Sequence, residues 1–237
     1  MTEKHIVACS GGFQRSPGGI QFGPIINYIL GLSEKDTPKF CYIGTASGDS
    51  AEKIAWFYNA CIGQNVQPSH LQLFMMPNVS NIREFIMSQD VIWVGGGSVA
   101  NLLALWRLHG LDSILKEAWE RSIILSGSSA GSICWHTGGT TDSFGSELQP
   151  VTNGLGLLPF SNGVHYDNEE RRRPLFQQLI KDGTLNEGYA TDDGVALHYK
   201  DQTLHQSISD TPGKYAYHVA KNGDEILETQ LETTLFT

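Results

Sequence analysis

The sequence predicts an α/β fold: a three-layer, mostly parallel β-sheet with helices on both faces and β-hairpins toward the C-terminal end. Three observations carry this reading. Short apolar runs alternate with helix-period segments over the first two-thirds of the chain, glycine clusters directly follow two of those runs, and hairpin turn signals mark the C-terminal part.

The apolar runs at 6–9, 40–43, 71–75, 91–94 and 123–125 are continuous, the pattern of parallel strands buried on both faces. Between them, Ile25, Ile26, Ile29 and Leu30 predict a first helix, and Ile54, Phe57 and Cys61 a second. Val99, Leu102, Leu103 and Trp106 predict a third, and Leu111, Ile114, Leu115 and Ala118 a fourth. Residues 195–199 and 203–208, joined through Lys200-Asp201-Gln202, predict one antiparallel hairpin. Residues 215–220 and 225–229, joined at Asn222-Gly223, predict another. With no internal repeat and no long linker, residues 1–237 are expected to form a single domain.

Composition narrows the function. The chain has 237 residues, with 16 Lys+Arg against 25 Asp+Glu, a formal net charge of −9. That balance argues against nucleic acid as a partner, which would call for a basic face. No stretch approaches the ~18 consecutive apolar residues of a membrane span, and the run at 6–9 is too short for a secretory signal. A cytoplasmic protein without membrane contact is expected. Cys9, Cys41, Cys61 and Cys134 form no CxxC pair and read as buried thiols, and the eight histidines lack metal-ligand spacing. Glycine is abundant, at 26 residues. Because glycine is costly in chain entropy, its clusters mark turns or close backbone approaches.

Two clusters fall at predicted strand ends, Gly95-Gly96-Gly97 and Gly127-Ser128-Ser129-Ala130-Gly131. Ligands of open α/β sheets bind at that edge. The second cluster is a G-x-S-x-G between a strand pattern and a helix start, which suits a serine nucleophile on a sharp turn. The first offers backbone donors facing Ser129, or simply a strand-ending turn. A serine nucleophile needs a base. His136, seven residues along the same predicted helix, lies about two turns from Ser129, too far along the axis to reach it. His165, between a short strand-like segment and a charged helix start, is the best candidate.

Tyr42-Ile43-Gly44-Thr45-Ala46-Ser47, Val94-Gly95-Gly96-Gly97-Ser98, Gly127-Ser128-Ser129-Ala130-Gly131-Ser132, Leu155-Gly156-Leu157-Leu158, His165-Tyr166 and Asp192-Asp193-Gly194 occur in that order. The set resembles the peptidase E (aspartyl dipeptidase)–cyanophycinase family of serine peptidases. The resemblance implies a fold similar to class I glutamine amidotransferases, with Ser129 as nucleophile, His165 as general base, and the amides of Gly97 and Ala130 as oxyanion hole. It implies Asp193 as the orienting acid, where the family often has glutamate, with Asp192 and Asp142 as rivals. It also implies an arginine beyond the histidine for an N-terminal aspartate of the substrate, here Arg171 within Arg171-Arg172-Arg173. A small peptide substrate, no cofactor, no metal, and a monomer or homodimer complete the expectation. Two other readings stay open: an α/β-hydrolase-type esterase using His198 or His205, and a non-catalytic module binding small ligands or peptides.

Overall fold

The computed structural model describes residues 3–17, 19–168 and 170–236. In chain order its first half comprises β1 (His5–Cys9), β2 (Phe13–Ser16), β3 (Gly19–Phe22), α1 (Pro24–Gly31), β4 (Lys39–Ile43), α2 (Ala51–Cys61), β5 (Gln67–Leu71), α3 (Ile82–Met87), β6 (Val91–Val94), α4 (Val99–His109) and α5 (Leu111–Glu120). There follow β7 (Ile124–Ser128), α6 (Ala130–Ile133), β8 (Gly138–Thr141), β9 (Gln149–Val151), β10 (Ser161–Gly163), α7 (Arg172–Lys181) and β11 (Gly188–Thr191). The chain closes with β12 (Val195–Lys200), β13 (Thr203–Ser209), β14 (Ala216–Asn222), β15 (Glu225–Gln230) and β16 (Thr233–Leu235).

The main sheet has eight strands in the order β16-β13-β12-β1-β7-β6-β4-β5. The strands β1, β7, β6, β4 and β5 run parallel, and β12 joins antiparallel to β1. Strand residues alternate between two apolar layers. Ile6, Ala8, Cys41, Ile43, Ile92 and Val94 pack with α4 and α5 through Leu102, Trp106, Leu111 and Leu115. Val7, Cys9, Phe40, Tyr42, Val91 and Trp93 pack with α1 and α2 through Ile25, Ile29 and Phe57. This is why the strand sequences show apolar runs and no alternation: both faces are covered. The four cysteines are free and buried. Among the described residues no helix is long and apolar enough to cross a membrane.

The single-sheet expectation requires correction. A second, six-stranded sheet runs β15-β14-β11-β10-β8-β9, and a small hairpin pairs β2 with β3. Of the two C-terminal hairpins, β12–β13 extends the main sheet while β14–β15 edges the second. The run at 71–75 is not the strand either: β5 ends at Leu71, after the polar Gln67, Ser69 and His70. As the outermost strand of its sheet β5 has one paired neighbour, so it does not need a continuous apolar run.

At the amino end of the main sheet His198 is buried, beside the half-buried His5 and the exposed His205. His198 lies 2.9 Å from His5 Nδ1 through Nε2 and 2.6 Å from the Tyr28 hydroxyl through Nδ1. Burial, with His5, His205 and Lys200 nearby, pushes His198 down to about 3. Burial pushes His136 down to about 4. Both rings are therefore neutral in the folded state, whereas in the unfolded chain they take up a proton near pH 6.5. The unfolded state binds more protons below that pH, so stability is complete above it and falls as the solution is acidified. Between pH 7 and 5 the loss should be about 2 kcal/mol for each ring. It should appear as a falling urea midpoint, and a flat midpoint over that interval would refute it.

Candidate active site

The carboxyl ends of β1, β6 and β7 converge on Ser129. Its backbone N–H donates to Cys9 O at 3.0 Å. The residue itself sits at φ 58°, ψ −113°, between the end of β7 and the start of α6. An L-residue held there is strained, and the surroundings must over-determine it. The flanking glycines make the turn possible. A Cβ on Gly131 would lie 2.1 Å from Val94 O, and one on Gly127 would lie 2.5 Å from Gly131 O. Any side chain at either position would push α6 off the end of β6.

The Gly95-Gly96-Gly97 segment faces this turn. A Cβ on Gly96 would sit 3.1 Å from Ser129 Cβ, so the glycine backbone lies directly against the serine. Gly97 has φ 146°, and a Cβ there would lie 2.2 Å from Ala46 O. The next residue, Ser98, donates its N–H to that same carbonyl at 2.8 Å and caps α4 by accepting from Asn101 N. The glycine loop is thus clamped between the 3-10 turn Thr45–Ser47 and a helix start. Among the described residues, the N–H groups of Gly97 and Ala130 have no hydrogen-bond acceptor.

His165 follows β10 of the second sheet, with φ 55°. Its N–H donates to Ser10 Oγ at 3.1 Å, and Ser10 Oγ is 2.6 Å from Thr191 Oγ1. These bonds tie the histidine to the ends of β1 and β11. Its ring Nδ1 is hydrogen-bonded to Asp193 Oδ1. The other Asp193 oxygen accepts from Asn168 Nδ2 at 2.8 Å, and the Asp193 N–H donates to Asp167 Oδ1 at 2.9 Å. Asp167 in turn is ion-paired with Lys214. Burial pushes the Asp167 carboxyl up, but its hydrogen bonds with Lys214 and the Asp193 amide outweigh this and hold it below the usual range. Ser10, Asp167, Asn168 and Lys214 were not singled out from the sequence. Asp167-Asn168 directly after His165-Tyr166 is the one local hint.

Ser129, His165 and Gly97 line one cavity of about 370 Å³ together with Ser98, Asp142, Ser143 and Arg172. Ser129 and His165 are not hydrogen-bonded to each other, an arrangement that commonly tightens only when substrate is present. His165 Nδ1 makes its hydrogen bond with Asp193 and with neither rival acid. Asp192 is buried, with Oδ2 accepting from Tyr215 N at 3.0 Å and from the Tyr217 hydroxyl, and burial pushes its carboxyl up. Asp142 is exposed at the cavity wall.

The three arginines separate sharply, because successive residues at a helix start point ~100° apart. Arg171 turns outward to Glu147 at 2.9 Å and to Ser146 O. Its side chain is 63% exposed, and it does not line the serine cavity. Arg173 pairs with Glu228 and lies over the rings of Tyr166 and Tyr217. Arg172 is the one that reaches the cavity: it is buried, with Nη1 donating to Thr140 O at 3.3 Å. His198 belongs to the opposite end of the sheet. It pairs in register with Val7, and both its ring nitrogens are engaged by His5 and Tyr28.

With this geometry in view, comparisons with known proteins are specific. The model of peptidase family S51 matches residues 6–207. The chain is similar to the uncharacterized peptidase YgaJ of Bacillus subtilis (strain 168), 44% identical over 231 residues, covering 96% of this chain and 97% of that one. Peptidase E of Shewanella denitrificans (strain OS217) is 28% identical over 188 residues, covering 76% and 78%. Among solved structures, a peptidase from an acI-B1 actinobacterium superposes with a TM-score of 0.69 at 17% identity, covering 98% of this chain and 95% of that one.

Proposed function

Because the chain belongs to peptidase family S51 and is a serine-type peptidase, we propose that it hydrolyses small peptides through an acyl-enzyme formed on Ser129. The observation that carries this reading is the chain of contacts from the shared cavity outward. Ser129 and His165 line the same space, and Asp193 is hydrogen-bonded to the histidine's Nδ1. With Nδ1 kept as a donor to Asp193, Nε2 is left as the acceptor for the serine proton. Ser129 Oγ then adds to the carbonyl carbon, and its proton passes to His165. The oxyanion is received by the amides of Gly97 and Ala130. His165 gives the proton to the leaving amine, the C–N bond breaks, and water repeats the sequence on the acyl-enzyme. No cofactor enters this scheme. The turn at Ser129 acts as a nucleophile elbow in a class I glutamine amidotransferase-like sheet, as the sharp φ of 58° supports.

For the substrate, Arg172 is the feature that discriminates. A buried guanidinium in the cavity of the nucleophile suits an acidic side chain, by planar donor geometry as much as by charge. We therefore assign the N-terminal aspartate of an Asp-Xaa dipeptide to that cavity, with Arg172 in the role that the family resemblance implies for Arg171. In a dipeptide panel, Asp-Ala should be cleaved at least tenfold faster, by kcat/KM, than Ala-Ala or Lys-Ala. Arg172→Met should abolish that preference. Equal cleavage of Asp-Ala and Ala-Ala by the natural protein would remove the aspartate assignment while leaving the hydrolase intact.

A further inference from the structure

A second cavity, of about 240 Å³, opens on the other side of the glycine loop and has no role in the chemistry above. Its walls are Phe13, Ile20, Tyr42, Trp56, Phe57 and Trp93, and its floor reaches Gly95, Gly96 and Ser128. Glycines let these rings close in. A Cβ on Gly12 would lie 2.5 Å from Trp93 Cη2, and one on Gly95 would lie 2.6 Å from the Tyr42 hydroxyl. Gly96 is the partition: it borders this cavity and at the same time rests against Ser129. One charged residue, Lys53, lines the space, and its Nζ donates to Gly96 O at 3.2 Å, leaving further N–H groups on the same ammonium.

Resting on the hydrolase reading above, we propose that this cavity is the subsite for the residue on the leaving side of the scissile bond. It takes an aromatic side chain among its rings, with the free C-terminal carboxylate of a dipeptide meeting Lys53. Two cavities of opposite character flank Gly96, which rests against Ser129: one polar with a guanidinium, one aromatic with an ammonium at its edge. A dipeptide whose first residue occupies the polar cavity has its second residue at the partition, one peptide bond from the serine. The space is adequate, since an apolar cavity of ~150 Å³ already admits benzene. Stacking or edge contact of an incoming ring with Trp56, Trp93 and Phe13 adds affinity beyond simple burial. The preferred substrate class is thus an acidic residue followed by a C-terminal aromatic one.

The test compares Asp-Ala, Asp-Phe, Ala-Phe, Phe-Ala and the amide of Asp-Phe. With the natural protein, kcat/KM for Asp-Phe should exceed that for Asp-Ala at least tenfold, and amidation of Asp-Phe should cost about tenfold. Trp56→Ala, which removes a wall residue outside the apolar clusters of the core, should bring the Asp-Phe to Asp-Ala ratio close to one. Lys53→Met should bring the acid-to-amide ratio close to one. Equal rates for Asp-Phe and Asp-Ala, a preference for Phe-Ala, or ratios untouched by Trp56→Ala would overturn the subsite. A calorimetric titration of the Ser129→Ala protein keeps the two readings apart. If no peptide is cleaved, the hydrolase reading fails. The subsite then stands if Asp-Phe binds at least tenfold more tightly than Asp-Ala, and falls if the two bind alike.

Discussion

Replacing Ser129 with alanine is expected to lower kcat/KM for a cleaved dipeptide by about 10⁴-fold or more while leaving the fold intact. The two halves of that expectation have separate physical grounds. The hydroxyl is the attacking atom, and Ser122, another serine at positive φ (64°), does not line the cavity that Ser129 shares with His165. The Ser129 side chain makes no capping hydrogen bond to α6, so removing its oxygen orphans no partner. Alanine has the same Cβ and meets the same backbone strain, so the thermal midpoint should move by no more than a few degrees. Activity lost together with a large drop in midpoint would point to a structural serine instead. Retained activity would move the chemistry elsewhere.

The second large effect is at Asp193. Asp193→Asn keeps the size of the side chain and its contact with His165, but the amide offers a donor where the carboxylate only accepts. The ring then settles with its proton on Nε2, which is the wrong tautomer for accepting the serine proton, and the charge that stabilises the imidazolium is gone. A loss of about 10³- to 10⁴-fold in kcat with little change in KM follows. Asp142→Asn serves as the comparison, because that carboxylate borders the cavity without touching His165. A loss below tenfold for Asp193→Asn, or a larger one for Asp142→Asn, would transfer the orienting role.

The elements that could be read from the sequence are those whose local pattern matches their final surroundings. Strands β1, β4 and β6 are covered on both faces, so their apolar runs announce them, and α1, α2, α4 and α5 carry the matching stripe. The second sheet was legible at its β14–β15 hairpin, through the Asn222-Gly223 turn, but its inner strands were hard to read for the opposite reason. Its β8 and β10, Gly138–Thr141 and Ser161–Gly163, hold hardly an apolar side chain. Close backbone approach stands in for side-chain packing there: a Cβ on Gly139 would lie 2.2 Å from Asn162 O. At the site, the glycine clusters marked where Ser129 and the loop facing it would be, because close contact demands glycine whatever the rest of the chain does. Which of three consecutive arginines faces inward depends on the phase of α7 against the second sheet, and composition carries no trace of it. The supports of the acid, Asn168, Asp167 and Lys214, are polar residues in a region already polar.

The central claim is that a covalent bond forms at Ser129. Incubation with a fluorophosphonate, digestion and mass spectrometry test it directly. One adduct is expected on the peptide containing Ser129, with loss of dipeptide hydrolysis in proportion to labelling and no adduct on the Ser129→Ala protein. An adduct on another serine that tracks the loss of activity would contradict it, as would full hydrolysis by protein labelled at Ser129.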